Sequence, residues 1–331
     1  SAGSTLVPGS SSGVYVISNT GALQCSFPTP QGVYSSPAIA ELDFDDVGTR
    51  EIVFGSWDFK VRVINHDCSL KFQNTVTDSV WSSPAIGDLD RDGIPEIVIG
   101  ADHNPVNNAE DGGLIHAFRN NLASELPGFP VLIDEVVYSS PALGDLDGDG
   151  WLDIVVGTGW CWDRPTCAPL GLTHNVTEAV YAVDRFGAPL AGWPYLLPTD
   201  RYTFGSPALA DFDGDLDLEV VFNTLEKVAS GPQGWVYVVD GGGTVLSGWP
   251  KQPKTPGGDP GDYLLRVTGI LIGGSAEQRQ VVAGKTQVDG GEPARKLVLA
   301  PQLGKRRQLG PQRSNAALLD RRFVHTGGKV V

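Results

Sequence analysis

Carboxylates at alternate positions are the first chemistry that this 331-residue sequence offers. Asp88, Asp90 and Asp92 are followed by Glu96; Asp145, Asp147 and Asp149 by Asp153; Asp211, Asp213 and Asp215 by Glu219. The pattern is D-x-D-x-D-G-x-x-[DE]. Like the first part of an EF-hand loop, it places side-chain oxygens at positions 1, 3 and 5 and a backbone carbonyl at position 7, here from Ile94, Trp151 and Asp217, but its ligand series ends at position 9. Two carboxylates ~4 Å apart repel by about 4 kcal/mol at an effective dielectric of 20. Gathering four of them in one tight loop therefore demands a cation. All the donors are hard oxygens with no His or Cys beside them, which selects Ca2+ over transition metals, and their number favours it over strictly octahedral Mg2+.

Gly93 and Gly150 stand at the sixth position, where the chain turns sharply and positive φ is easiest for glycine. Leu216 replaces that glycine in the last loop. An earlier segment, "ELDFDDVGTRE", begins with Glu41 and carries two extra residues before its closing acid, so Asp43, Asp45 and Glu51 form an irregular candidate site. Three regular Ca2+ sites and an irregular fourth are expected. Asp and Gly are common in solvated turns, and one such loop alone would be read that way; the same register repeated between the same apolar flanks argues against it.

The elements that must hold these loops repeat with them. "SSPAIAELDFDDVGTREIVFG" starts at Ser35, "SSPAIGDLDRDGIPEIVIG" at Ser82, "SSPALGDLDGDGWLDIVVG" at Ser139 and "GSPALADFDGDLDLEVVFN" at Gly205. The starts are 47, 57 and 66 residues apart. After each phrase comes an alternating apolar stretch broken by a polar turn, as in "AVYAVDRFGAPLAGWP" from Ala179 and "WVYVVDGGGTVLSGWP" from Trp235, which is a hairpin signal. Each unit thus supplies about four strands, and "GVYVISNTGALQCSFP" from Gly13 is a second half without a first. Repeated four-stranded units of this size suit a β-propeller better than a β-solenoid, whose coils are shorter. The glycines at 241–243 lie between strands and read as a hairpin turn rather than a phosphate loop.

These phrases resemble the FG-GAP repeat, found in integrin α-chain propellers and many secreted bacterial proteins. The resemblance covers residues 35–250, extends to 13–34 through the half-unit and is weak beyond about 264. It implies an all-β fold, a β-propeller of four-stranded blades with six or seven blades or an incomplete ring, and Ca2+ in the acidic loops. It also implies that the loops lie on one side of the ring and that partners contact the opposite or upper face; no partner-binding residue carries over. Residues 1–270 are assigned to these repeats. Residues 271–331 form a basic segment, read as a degenerate fifth blade plus ring-closing strands from Ser314, or as a tail.

Composition narrows the function classes. Residues 1–270 carry 13 Lys/Arg against 35 Asp/Glu, a net of −22, and residues 271–331 carry 11 against 4, a net of +7. The overall −15 repels nucleic acid and anionic membrane, and no run of eighteen apolar residues offers a membrane span. Neither nucleic acid binding nor membrane insertion is expected. Cys161 and Cys167 are close enough in "CWDRPTC" to close a small loop, leaving Cys25 and Cys68 as the other pair; none has metal-ligand spacing, so disulfides in an oxidising compartment are favoured over zinc, with core thiols as the alternative. Asn175-Val176-Thr177 is a glycosylation sequon, and the chain, which begins at Ser1 and has no Met, fits a processed product or a segment of a longer precursor.

Two longer loops, from Ala101 and from Gly157, interrupt the units, and the second places Trp160 and Trp162 beside the small Cys loop. Such loops carry contacts or are decoration between strands. The pairs Phe27-Pro28, Phe129-Pro130, Trp193-Pro194 and Trp249-Pro250 recur at unit ends, which argues for packing between blades. His66, His103, His116, His174 and His325 are scattered, and no HExxH or paired Cys/His pattern is present. The expected function is therefore a secreted or cell-surface, calcium-bound module for adhesion to or recognition of a protein or glycan. A propeller enzyme acting on polysaccharide or lipid, and a structural spacer of a larger surface protein, are the alternatives.

Overall fold

The computed structural model describes residues 2–4, 12–43, 49–103, 112–133, 135–158, 178–198, 201–203, 205–226 and 233–252, with two further short strands at 266–268 and 285–287. Among them every regular element is a strand. An N-terminal sheet holds β1 (Ala2–Ser4), β2 (Gly13–Ile17) and β3 (Leu23–Pro28) in that order. Three four-stranded antiparallel sheets follow, each in simple sequence order. The first blade is β4 (Ala38–Ala40), β5 (Glu51–Ser56), β6 (Lys60–Ile64) and β7 (Leu70–Thr75). The second is β8 (Ala85–Gly87), β9 (Glu96–His103), β10 (Gly112–Phe118) and β11 (Val131–Ile133), and the third β12 (Ala142–Gly144), β13 (Asp153–Gly157), β14 (Ala179–Val183) and β15 (Tyr195–Leu196).

In the fourth blade β16 (Arg201–Tyr202) and β17 (Ala208–Ala210) both pair with β18 (Glu219–Glu226), and β19 (Gln233–Val239) pairs with it in turn. A bridge from Val236 to Lys251 marks its outermost strand. The first strands of successive blades are neighbours, β4 beside β8, β8 beside β12 and β12 beside β17. That arrangement of meandering sheets about their first strands is a β-propeller.

The cores lie between blades rather than within them. Val53, Val61 and Val63 of the first blade pack with Ile97, Ile99 and Phe118 of the second. Val98 and Ile115 of the second meet Leu143, Ile154 and Val156 of the third, and Val155 and Val180 of the third meet Val220, Phe222 and Tyr237 of the fourth. Val14 of the half-unit joins Ile52 and Phe54. A strand covered on both faces has no reason to alternate, and β5 and β13 are accordingly buried at every residue, whereas the outer strand β7 keeps an exposed-and-covered pattern. Close approach also explains the glycine ending the first three acidic phrases: a Cβ on Gly55 would lie 2.1 Å from Val80, one on Gly100 2.3 Å from Val137 and one on Gly157 2.6 Å from Thr203.

Serines of the repeated phrase tie the blades. The backbone N–H of Ser36 donates to Ser83 Oγ at 2.8 Å, that of Ser83 to Ser140 Oγ at 3.1 Å and that of Ser140 to Ser206 Oγ at 2.9 Å. The serine before each acts within its blade: Ser139 Oγ bonds both the C=O and the N–H of Gly157, and Ser35 Oγ those of Gly55. At one aromatic–proline corner the contact crosses blades: Trp193 is buried and its Nε1–H donates to Gly241 O of the next blade at 2.9 Å, whereas Trp249 meets Phe212 of its own blade. Residues 241–243 form a turn between β19 and the outermost strand. A disulfide joins Cys25 on β3 to Cys68 in the β6–β7 turn, stapling the half-unit to the first blade.

The chain parts into a unit of Ser1–Ala294 and one of Arg295–Val331, and every described residue belongs to the first. In that unit β20 (Arg266–Thr268) pairs antiparallel with β21 (Lys285–Gln287). The ring-closing strands expected from Ser314, the pair Cys161 and Cys167, and Trp160 and Trp162 lie outside the described residues.

Candidate metal sites

Each acidic loop joins the first strand of a blade to the second, and the strand pairing sets its mouth. Gly87 pairs with Glu96, Gly144 with Asp153, Ala210 with Glu219 and Ala40 with Glu51. Position 1 thus leaves the end of one strand, and position 9 opens its neighbour. The position-9 acids Glu51, Glu96, Asp153 and Glu219 are all buried, and each accepts a backbone N–H from position 2: Leu42 at 2.9 Å, Leu89 at 2.9 Å, Leu146 at 2.8 Å and Phe212 at 2.5 Å.

Around that anchor the second and third loops repeat one another bond for bond. Gly93 N–H donates to Asp88 Oδ2 at 3.1 Å, and Gly150 N–H to Asp145 Oδ2 at 3.0 Å. Asp90 accepts the Asp92 N–H at 3.2 Å and Asp147 the Asp149 N–H at 3.1 Å. Position 5 braces the turn: Asp92, Asp149 and Asp215 accept the N–H of Ile94, Trp151 and Asp217 at 2.8, 2.8 and 3.0 Å. The fourth loop differs at its first acid, where Gly214 rather than the sixth residue donates to Asp211, at 2.7 Å.

Two left-handed residues bend every regular loop. Position 6 has φ near +89° at Gly93, Gly150 and also Leu216 (88°), so the leucine is forced into the glycine conformation rather than altering the turn. Position 4 is left-handed as well, at Arg91, Gly148 and Gly214; sequence reasoning missed this, because Arg91 gives no sign of it.

The result is a convergence of oxygens. Carboxylates at positions 1, 3 and 9 offer ligand atoms within 4.8 Å of one another in all four loops: Glu41, Asp43 and Glu51; Asp88, Asp90 and Glu96; Asp145, Asp147 and Asp153; Asp211, Asp213 and Glu219. Position 5 is not drawn into these groups, and Asp45 lies outside the described residues. Asp88 Oδ1 and Asp145 Oδ1 are buried without a hydrogen-bond partner. A buried orphan carboxylate oxygen beside two further carboxylates is costly unless a cation completes it; the acidic groups are placed to hold a metal ion.

Without a metal, the strain appears as proton affinity. Burial, reinforced by Asp90 and Asp92, pushes the Glu96 carboxyl up to about 7, and burial with Asp147 and Asp149 does the same to Asp153, also to about 7. Glu219 is raised by burial and its Asp neighbours. Basic side chains stand by two loops. Arg119 Nη1 lies 2.8 Å from Asp90, 3.4 Å from Asp92 and 3.5 Å from Glu96, while Lys71 Nζ lies 2.7 Å from Asp43 and 3.2 Å from Glu51. Between the second and third loops, Arg91 and Arg185 lie over the Trp151 ring at 4.2 and 3.7 Å.

The FG-GAP repeat profile matches residues 80–118 and 137–160, stretches that contain the second and third loops. No curated protein sequence matches the chain. Solved structures of similar shape include the Vibrio cholerae biofilm matrix protein Bap1, 19% identical with a TM-score of 0.49, over 73% of this chain and 33% of that one. The Pseudomonas aeruginosa PilY1 C-terminal domain is 13% identical with a TM-score of 0.44, over 71% and 58%. Quinohemoprotein alcohol dehydrogenase from Comamonas testosteroni is 17% identical with a TM-score of 0.45, over 75% and 42%. The chain thus spans between a third and three fifths of those chains.

Proposed function

Because this chain carries FG-GAP repeats folded as propeller blades, we propose that it is a secreted or cell-surface recognition module held rigid by Ca2+, which presents a face of its propeller to a protein or glycan. The observation that carries the reading is the matched geometry of the second and third loops, each with a buried position-9 acid and an orphaned position-1 oxygen. Asp88, Asp90, Asp92, the Ile94 carbonyl and Glu96 would hold one ion. Asp145, Asp147, Asp149, the Trp151 carbonyl and Asp153 would hold another, and Asp211, Asp213, Asp215, the Asp217 carbonyl and Glu219 a third. An all-oxygen set with this many donors suits Ca2+. The ion's work is structural: it neutralises the loop and locks the first two strands of each blade.

Recognition finds support at the other ends of the inner strands. Tyr34, Trp81 and Tyr138 each precede the serines of a repeat phrase and touch in series, at 5.2 and 5.0 Å between centroids, with Trp57 stacked on Tyr34 at 4.4 Å. Tyr34 is 47% exposed. Such an aromatic arc suits contact with a partner, and the disulfide of Cys25 and Cys68 suits an oxidising compartment.

Thermal melting with Ca2+ and with chelator tests the metal half of this reading: Tm rises with free Ca2+ by mass action, and an unchanged curve sinks it. Protein and glycan arrays probed at millimolar Ca2+ test the recognition half. Hits that weaken for Tyr34→Ala and Trp81→Ala are expected; a blank array refutes that half alone.

A further inference from the structure

We propose that the first blade carries its own cation: the Lys71 ammonium fills the place that a metal takes in the other blades, so the loop of Glu41, Asp43 and Glu51 folds without metal. The inference rests on the Ca2+ reading of the regular loops and concerns the one loop whose spacing departs from theirs.

Register identifies the insertion. The third and fourth strands of the blades meet at equivalent pairs: Ile64 with Leu70, Phe118 with Glu125, Val183 with Pro189 and Val239 with Val245. In the last three blades the next residue continues the pairing, the N–H of Leu126, Leu190 and Leu246 donating to the carbonyls of Ala117, Ala182 and Val238. In the first blade a bulge intervenes: Val63 pairs with Phe72, which packs beside Leu42 as Leu126 does beside Leu89, and Lys71 is the extra residue. A lysine held there with its stem covered needs an anion at its end.

The anions are the loop's own. Lys71 Nζ lies 2.7 Å from Asp43 Oδ2 and 3.2 Å from Glu51 Oε1, while Glu51 Oε2 takes the Leu42 N–H. In the second blade the matching acids are Asp90 and Glu96, two of the three that converge for the metal. The Lys71 side chain is only 13% exposed, and an ammonium seated between two of three ligands blocks an ion both sterically and by charge. Arg119 in the second blade is different. It comes from the loop after β10, is 37% exposed, and touches Asp90 closely but Glu96 only at 3.5 Å, so it can swing into solvent when an ion arrives.

Native mass spectrometry of the full chain at saturating Ca2+ tests this by difference. Lys71→Leu, which removes the ammonium, should bind one more Ca2+ per chain than the parent and lose more Tm in chelator than the parent does. An equal count in both proteins overturns the inference. Where Lys71→Leu does not fold, an anomalous difference map of the unaltered protein soaked in Tb3+ decides: density among Glu41, Asp43 and Glu51 overturns the inference, and density confined to the regular loops supports it. A parent that binds no ion at all fails the Ca2+ reading itself, whereas an ion in the first loop beside ions in the others fails only this inference.

Discussion

Glu96 and Leu89 hold one another across the second acidic loop, the buried carboxylate accepting the backbone N–H through Oε2 at 2.9 Å. Glu51, Asp153 and Glu219 repeat the bond with Leu42, Leu146 and Phe212. One oxygen of the closing acid is thereby committed to the fold, which fixes where the other must lie. The fold therefore forces a negative group into an apolar setting and leaves a proton or a metal to neutralise it.

That competition gives stability a pH dependence whose sign can be worked out. Glu96 and Asp153 are raised to about 7, from ordinary values of 4.5 and 3.8. Between the ordinary and raised values the metal-free folded protein binds more protons than the unfolded chain, so stability falls as pH rises through that window and levels off above about 7. In chelator, Tm should decline from about pH 5 to pH 7.5. With saturating Ca2+ the decline should vanish, and apparent Ca2+ affinity should climb over the same range. A chelated protein whose Tm rises with pH there would contradict the origin given for these shifts.

The two serines that open the third phrase should differ in weight. Ser139 is fully buried and satisfies both backbone groups of Gly157, so Ser139→Ala should cost about 1–3 kcal/mol through orphaned buried groups. Ser140 accepts one N–H from Ser83 in the neighbouring blade, and Ser140→Ala should cost about 1 kcal/mol. Urea unfolding of the two variants checks the order, which reverses if contacts between blades dominate.

Leu216→Gly should stabilise the protein. The leucine holds φ at 88° and is 63% exposed, so little packing is lost and about 1 kcal/mol of left-handed strain is relieved. Calorimetric unfolding in chelator and in Ca2+ reads the effect in both states; a destabilised variant would show that its side chain does more than strain the turn.

Much of the fold was legible because turns and blade contacts repeat. The register of Asp88 to Glu96 with Asp145 to Asp153, the hairpins after them and the aromatic–proline corners all follow from residue types at fixed spacing. Other features depend on geometry that spacing does not encode. Lys71 looks like a surface lysine until the irregular pairing between Val63 and Ile64 is known, because residue types and spacing do not reveal the bulge that makes it an extra residue. The spacing marks position 5 as a ligand like positions 1 and 3, but not the bonds by which Asp92, Asp149 and Asp215 also brace the next turn. The relay from Ser36 to Ser206 needs blade neighbours that no local pattern reveals.

The most direct measurement is an anomalous difference map from crystals grown in millimolar Ca2+. Peaks should stand among Asp88, Asp90 and Glu96, among Asp145, Asp147 and Asp153, and among Asp211, Asp213 and Glu219. Well-ordered carboxylates with no peak between them would contradict the account.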